Sequence, residues 1–353
     1  MVGQVIKYLF KRLALLVPTL IAIIGINFLI VQLAPGGPLE TVAAKMRQQQ
    51  TSAHQFAGAG FYQGDEGLDP AMVHKLNKEF GFDKPPLTRF LLMLKGYLTF
   101  NLGESFFQAA PVSTLIWQRL PVSVSLGLWS TLLVYLVSIP LGIHKAADAG
   151  SGFDKATTAV IIAAYAVPGF LLAVFLVILF GAGGWVALFP LRGLASPGAA
   201  AWPWWDRAAD YAWPLVLPPV AMTAGGFATL TMLTKNSFLD ERDKPYVTAA
   251  RARGASESRV LYGHVFRNAI IPVVAGLPGA FTSILFTSAL LVEIIFSVNG
   301  LGLLGYNAVL QRDYPVMFGT LYVYTLTALV AQLVTDFLYT LVDPRLDFES
   351  RSK

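Results

Sequence analysis

Pro245-Tyr-Val-Thr-Ala-Ala-Arg-Ala-Arg-Gly-Ala-Ser-Glu-Ser-Arg-Val-Leu-Tyr-Gly-His-Val-Phe-Arg-Asn-Ala-Ile-Ile-Pro272 is a polar, basic island between two long apolar runs. Tyr246 to Arg253 is enough chain for about two helical turns, and Gly254 accepts the left-handed backbone at which such a helix stops. Ser256 suits the N-cap of a second helix, along which Val260, Leu261, Val265 and Phe266 form an apolar stripe. That stripe wants a partner surface. Arg251, Arg253, Arg259 and Arg267 crowd the same short segment with positive charge. His264 stands outside any zinc-binding spacing and reads as a polar contact or cap.

Composition says what surrounds the island. The 353 residues are 55% hydrophobic and 13% charged, with mean hydropathy +0.58, against roughly 25% charged residues in a soluble protein. A membrane protein is implied. The net charge of +5 and pI near 9.3 do not signal nucleic-acid binding, because the basic residues flank apolar spans instead of clustering on a polar domain. Cysteine is absent, which excludes disulfides, thiolate nucleophiles and Cys-ligated metals.

Six stretches lack Asp, Glu, Lys and Arg: Leu13 to Leu39, Leu120 to His144, Ala156 to Leu191, Tyr211 to Thr234, Asn268 to Val292 and Tyr314 to Thr335. Each is long enough for a hydrocarbon core that takes about 20 helical residues, so six transmembrane helices are expected. The first run is too long for a signal-peptide core and is read as a retained span. Lys7, Lys11, Arg12, Lys145, Lys155, Lys235, Arg242, Lys244, the four arginines of the basic island, Arg345, Arg351 and Lys353 fall on one side; only Arg192, Arg207 and Arg312 fall on the other in short loops. The excess marks the cytoplasmic side, placing both termini and the island there.

Residues 34–119 form an expected extracytoplasmic domain, entered through Ala34-Pro35-Gly36-Gly37-Pro38. Gln48 to Gly67 is loop-like; Asp69, Pro70 and Gly81 bound one helix, and Leu87 to Tyr97 forms another with Phe90, Leu91, Leu94 and Leu98 on one face. The domain is either a cap without chemistry or a docking surface. Trp185, Trp202, Trp204, Trp205 and Trp213 fit an aromatic girdle at the headgroup level. Pro140, Pro168, Pro218, Pro219, Pro272 and Pro278 lie within or beside spans, where neighbouring helices can re-satisfy freed backbone groups.

The last outer loop offers a candidate pathway mouth or outer gate: Glu293, Gly300, Gly302, Arg312 and Asp313. The glycines permit a tight re-entrant turn, and Arg312 adjoins Asp313 closely enough for a local charge pair. Glu293 either ends its span in headgroup water or faces a cationic group such as a peptide amine. Asp336 is the one acid inside an apolar stretch, with Lys11 or Arg12 as candidate partners; a structural pair, a snorkelling position and a functional site are the open readings.

No Gly-Lys dipeptide occurs, so no Walker A loop is present and ATP hydrolysis of that kind must occur elsewhere. No His-Glu-x-x-His or Gly-x-Ser-x-Gly motif occurs either, which argues against an intramembrane enzyme.

Thr248-Ala249-Ala250-Arg251-Ala252-Arg253-Gly254 resembles the coupling-loop signature of type I ABC-transporter permeases, Glu-Ala-Ala, three residues, then Gly. Thr248 in place of Glu, and the late Pro272, are similar to the dipeptide and oligopeptide branch. The first span with Ala34 to Gly37, the outer amphipathic helices, and the final loop with Asp343-Pro344-Arg345 resemble that branch in the same order. The long insert before Gly67, Leu233-Thr-Lys-Asn-Ser-Phe-Leu-Asp240 and Arg312-Asp-Tyr-Pro-Val-Met-Phe-Gly-Thr-Leu-Tyr322 most resemble its Yej-type peptide permeases. The resemblance implies an all-α, six-helix MetI-like permease: residues 1–33 a cytoplasmic N-terminus and first span, 34–119 the outer domain, 120–343 a five-helix core with a coupling loop at 236–268, and 344–353 a cytoplasmic tail. It implies import of peptides or peptide-like compounds, including microcin C-type antibiotics, across a bacterial inner membrane by alternating access. Implied partners are a second permease subunit, one fused or two separate ATP-binding subunits carrying ATP and Mg, a periplasmic substrate-binding protein and the bilayer. No cofactor or metal is implied in this chain. Tyr246, Thr248, Ala249, Ala250, Arg251, Arg253, Gly254, Ser256, His264 and Arg267 are the implied coupling residues, with Ala249, Ala250 and Gly254 small enough for close docking. A permease for another small solute, such as a dipeptide or nickel chelate, is the alternative within that class. A stand-alone secondary transporter is the alternative outside it; that class calls for mid-membrane ionisable residues and an inverted repeat, and the spans carry almost no such residues.

Overall fold

The computed structural model describes residues 2–33, 84–105, 107–191, 193–287 and 289–342. Among them the protein is helical, with two isolated β-bridges, Glu104 to Pro111 and Gly181 to Phe189. The expected loop at Gln48 to Gly67, the helix bounded by Asp69 and Gly81, and the Asp343-Pro344-Arg345 tail lie outside the described residues. Val112–Ala147, Glu257–Ser283 and Tyr314–Phe337 are each long and apolar enough to cross a membrane, two bent helix pairs qualify when each is taken together, and Val17–Ile30 is a shorter apolar helix.

The chain divides into two compact units. In the one comprising residues 1–13, 119–303 and 327–353, the main elements are α3 (Val112–Ala147, from residue 119), α4 (Gly152–Ala166), α5 (Gly169–Phe180), α6 (Trp204–Ala212) and α7 (Leu217–Arg242). There follow α8 (Pro245–Ala252), α9 (Glu257–Arg259), a π turn (Val260–Val265), α10 (Phe266–Ala269), α11 (Ile271–Ala275), α12 (Leu277–Thr287) and α13 (Ala289–Ile295). The other unit, residues 14–118 and 304–326, holds most of α1 (Val2–Leu33), α2 (Pro86–Leu98) and parts of α14 (Leu301–Gln311) and α15 (Tyr314–Val342).

α7 is the pillar of the larger unit. Its first turns put Leu217, Ala221 and Met222 against Leu126, Ala173, Val292 and Phe296. Further along, Leu230 meets Val134, Tyr135 and Val273, and near its end Phe238 meets Ile143, Ala146, Val247, Val260 and Val265. Lipid tails are as apolar as these side chains, so close fit rather than expulsion from water holds them together. Small residues supply the fit: a Cβ on Gly226 would stand 2.9 Å from Val134 Cγ2, and one on Gly142 would stand 2.6 Å from Thr234 Cβ and 2.9 Å from the Thr231 carbonyl.

The third and fourth apolar runs are not single straight helices. At Val167 the backbone turns extended before Pro168, as a residue preceding proline is driven to do, and α5 leaves α4 at 94°. Residues after Phe180 fold back instead of continuing the span, through Gly181 and Gly183, the latter with φ of 88°. The fourth run is α6 bent by 51° from α7, and α7 continues beyond Thr234 to Arg242. In the fifth run, Pro272 and Pro278 each stand second in a fresh helix, where their missing N–H costs nothing.

In the smaller unit α2 forms where expected, but its buried face is rotated. Tyr97 is buried and Met93 helps line a small apolar cavity, whereas Leu91 and Leu98 are more than half exposed. Phe90 instead meets Phe28, and Tyr97 packs at 5.1 Å from the Tyr322 ring.

Gly142→Val is expected to lower the thermal midpoint of the detergent-solubilised protein, corresponding to a loss of about 1–3 kcal/mol from overpacking. Gly225→Ala, inside α7, where an added Cβ meets nothing within 4 Å, is expected to raise it slightly in a thermal-shift assay, corresponding to about 0.5–1 kcal/mol of helix preference.

Candidate functional site

The basic island folds as a hairpin of short helices on the end of α7. Lys244 is extended, Pro245 starts α8, and α8 ends after Ala252. Gly254 then takes φ of 81°, with its N–H on the Arg251 carbonyl at 2.9 Å and the Ala255 N–H on the Ala250 carbonyl at 3.2 Å. These two bonds close the helix as a Schellman motif, so the glycine is required by its backbone. An added Cβ there meets nothing within 4 Å. Ser256 caps α9, accepting from the Arg259 N–H at 3.4 Å. Arg251 spans the turn as a fork on Glu257, at 2.8 and 3.2 Å.

The apolar stripe finds its partner in its own chain. Val247, Val260 and Val265 are fully buried with Phe238, Ile143 and Ala146, and Leu261 and Phe266 pack at the edge. In an α-helix, Val260 and Val265 would point roughly 140° apart, at 3.6 residues per turn. The π turn between them widens the coil and lets both face Phe238. Polar contacts reinforce the joint. The Tyr246 hydroxyl donates to the buried Glu241 at 2.8 Å and accepts from Asn268 at 3.1 Å. Lys244 pairs with Glu241 at 2.6 Å, which holds its ammonium above the ordinary lysine range. Arg242 donates to the Ala146 and Ala147 carbonyls at the end of α3.

What remains facing outward is the expected coupling set. Tyr246, Thr248, Ala249, Arg253, Gly254, Ser256, His264 and Arg267 are exposed; Ala250 and Arg251 are half-buried. A groove runs between α8 and the π turn, floored by Ala249, Ala250, Gly254 and Ala255 and edged by Tyr246, Arg253, Arg259 and His264.

Beside the hairpin lies an ionic cluster that sequence reasoning passed over. Lys145 of α3, fully buried, lies 3.0 Å from the Asp154 carboxylate of α4 and donates to Thr157 and Thr158 at 2.7 Å. Lys235 of α7 reaches the same carboxylate at 2.7 and 2.8 Å, and the Gly150 N–H adds 2.9 Å. One acid thus ties three helices together. Its sequence signal was Ser151 with Asp154 three residues on, an N-terminal capping pattern, and the Asp154 N–H does donate to Ser151. The two lysines served only as orientation markers.

The proposed gate residues are arranged differently from the expectation. Glu293 reaches neither headgroup water nor any open cavity: it is 0% exposed, accepting from Ser123 at 2.9 Å and from the Leu303 N–H at 2.7 Å. Ser123 in turn accepts from the Leu301 N–H at 2.7 Å. The acid and the serine therefore satisfy the free N–H groups at the start of α14. Gly300 and Gly302 are explained by this packing and not by turn geometry, since neither has a positive φ. A Cβ on Gly300 would overlap the Glu293 carboxylate, and one on Gly302 would stand 3.1 Å from it. In the smaller unit, Asp313 is buried and accepts from Ser105, while Arg312 takes φ of 55° between α14 and α15. Asp336 is buried on α15 and accepts from Gln332 at 3.4 Å; the side chains of Lys11 and Arg12 lie outside the described residues. Among the described residues no group of three or more acids and histidines is placed to hold a metal.

Asp154→Asn leaves Lys145 buried against Lys235 without a counter-charge, and is expected to lower the thermal midpoint more than Lys235→Met, which leaves a matched pair. A thermal-shift series on the purified variants reads the order directly.

Residues 138–348 match the family described as binding-protein-dependent transport system inner membrane component. The peptidoglycan transport system permease protein YejB of Agrobacterium fabrum is 51% identical, over 98% of this chain and 99% of that one. The inner membrane ABC transporter permease protein YejB of Escherichia coli O157:H7 is also 51% identical over the same shares, and the oligopeptide transport system permease protein AppB of Bacillus subtilis is 29% identical over 97% and 99%. By length of match and identity, the chain belongs to the family of inner-membrane components of binding-protein-dependent transport systems.

Proposed function

We propose that this chain is one of two permease subunits of an ATP-driven importer for peptides or peptide-like compounds, with its basic hairpin and both termini on the cytoplasmic side. The observation that carries this reading is the hairpin itself: a small-residue groove fully exposed on one side and locked to α3 and α7 on the other. A protein that seizes the exposed side moves the bundle, because the buried side leaves no slack. The chain has no phosphate-binding loop, so ATP and Mg belong to a partner subunit. Closure of paired ATPase domains would rotate this bundle against its sister subunit and open a central path to a periplasmic binding protein; hydrolysis would reset it.

Peptide cargo is supported by the names of the relatives, and the peptidoglycan transport of the Agrobacterium protein widens the class to cell-wall peptides. Microcin C-type antibiotics, peptide-like in backbone, belong to the same range. Glu293, Gly300, Gly302, Arg312 and Asp313 then act at the outer end by holding loops in place.

The complete importer, reconstituted in proteoliposomes with its binding protein, should accumulate labelled peptides or cell-wall peptides only when ATP is supplied. Uptake driven by an ion gradient without ATP would reject the proposal. Gly254→Trp should leave the subunit inserted yet abolish substrate-stimulated ATP hydrolysis, since it strains the left-handed turn by about 1–2 kcal/mol and fills the groove. Gly254→Asn, whose side chain tolerates that turn, should retain more of the stimulation.

A further inference from the structure

The hairpin carries more positive charge than its own fold uses. Between Lys244 and Arg267 stand five cations and a single acid, Glu257. Glu257 is taken by Arg251, and Lys244 is taken by Glu241. Arg253, Arg259 and Arg267 are exposed, and among the described residues no carboxylate pairs with them. Two of the three edge the groove, whose floor is Ala249, Ala250, Gly254 and Ala255. A floor without large side chains leaves room for a side chain to enter from outside. Guanidinium groups at its rim select what enters, because their planar donor fork matches a carboxylate.

We infer that the face of the driving subunit that grips this hairpin is acidic, and that one of its carboxylates enters the groove between α8 and the π turn to meet Arg253 and Arg259. The inference rests on the reading of the hairpin as the ATPase-coupling site. Anionic lipid is the competing counter-charge for a basic surface beside a membrane. The groove fits a protein better: its floor is alanine and glycine, and Leu261 and Phe266 pack against the Phe238 cluster. Of the two exposed aromatics, Tyr246 is tied to Glu241 and Asn268, which leaves Tyr262 alone among the cations where a lipid-facing segment sets several large apolar side chains. Arg251, locked to Glu257, acts differently. It stiffens the hairpin and is not free for a partner.

The test uses the whole importer, recovered through a tag on this subunit, with the ATPase measured in the eluate at low and high salt. Recovery from the unaltered complex should fall as salt rises, as expected when charged groups hold a rim contact. Arg253→Glu with Arg259→Glu should reduce recovery about tenfold at low salt, while Arg253→Lys with Arg259→Lys, which keeps the charge, should stay within about twofold. Replacing acidic residues on the ATPase face by lysine should restore binding to the doubly glutamate-substituted subunit. Recovery that is indifferent both to salt and to the glutamate pair overturns the inference but leaves the coupling site standing; an unaltered subunit that brings down no ATPase overturns the coupling site itself. If the glutamate pair keeps its ATPase, and the unaltered complex loses activity when moved from vesicles containing anionic lipid to vesicles of phosphatidylcholine alone, the cations face headgroups and the inference fails. Should the glutamate variant not accumulate, the salt titration of the unaltered complex decides.

Discussion

The packing of Val247, Val260 and Val265 around Phe238 is the constraint on which the working end of this protein depends. A short helix of eight residues has little stability of its own, since helix nucleation is unfavourable and isolated helices below about 12–15 residues are marginal in water. The buried valines supply what α8 lacks, and the contacts of Glu241 with Tyr246 and Lys244 fix the angle at which α8 leaves α7. Without that joint the groove would be a floppy loop, and a pull on it would be absorbed by bond rotation before any span moved.

The Asp154 cluster extends the same stiffness sideways. Lys145 and Lys235 approach one carboxylate from α3 and α7, and Lys145 also donates to the Asp154 carbonyl of α4 at 2.7 Å. A buried charge is expensive unless it is paired and hydrogen-bonded; here Lys145 and Asp154 each have several partners, and Lys235 makes both of its bonds to the Asp154 carboxylate. The result is a cross-brace between the helix that carries the hairpin and two helices that do not. Displacement of α7 is then shared with α3 and α4.

Much of this was legible in the residues alone. The αL turn at Gly254 and the Ser256 cap follow from residue type and position, and the membrane class follows from charge-free runs. What was not legible depended on distant pairing. Glu293 looked like a surface acid because its partners, Ser123 and the N–H groups near Leu303, are remote in sequence or belong to the backbone. Gly300 and Gly302 looked like turn glycines because crowding by a carboxylate leaves no local trace. The apolar stripe on the second helix of the hairpin was correctly identified, but whether its partner was another protein or Phe238 could not be told from periodicity. The 94° bend at Val167-Pro168 was hidden inside an apolar run, where hydropathy gives length and not direction.

The π turn at Val260–Val265 also governs how the fifth run must be read. A widened turn takes in an extra residue, and each α-helical residue is worth about 100° of rotation. A helical wheel drawn at constant pitch from Glu257 onward therefore loses phase before it reaches Pro272, and assigns lipid-facing and protein-facing sides to the wrong residues thereafter. Between relatives, a single-residue gap within those six positions would be a change of screw angle for everything downstream, and not a trimmed loop.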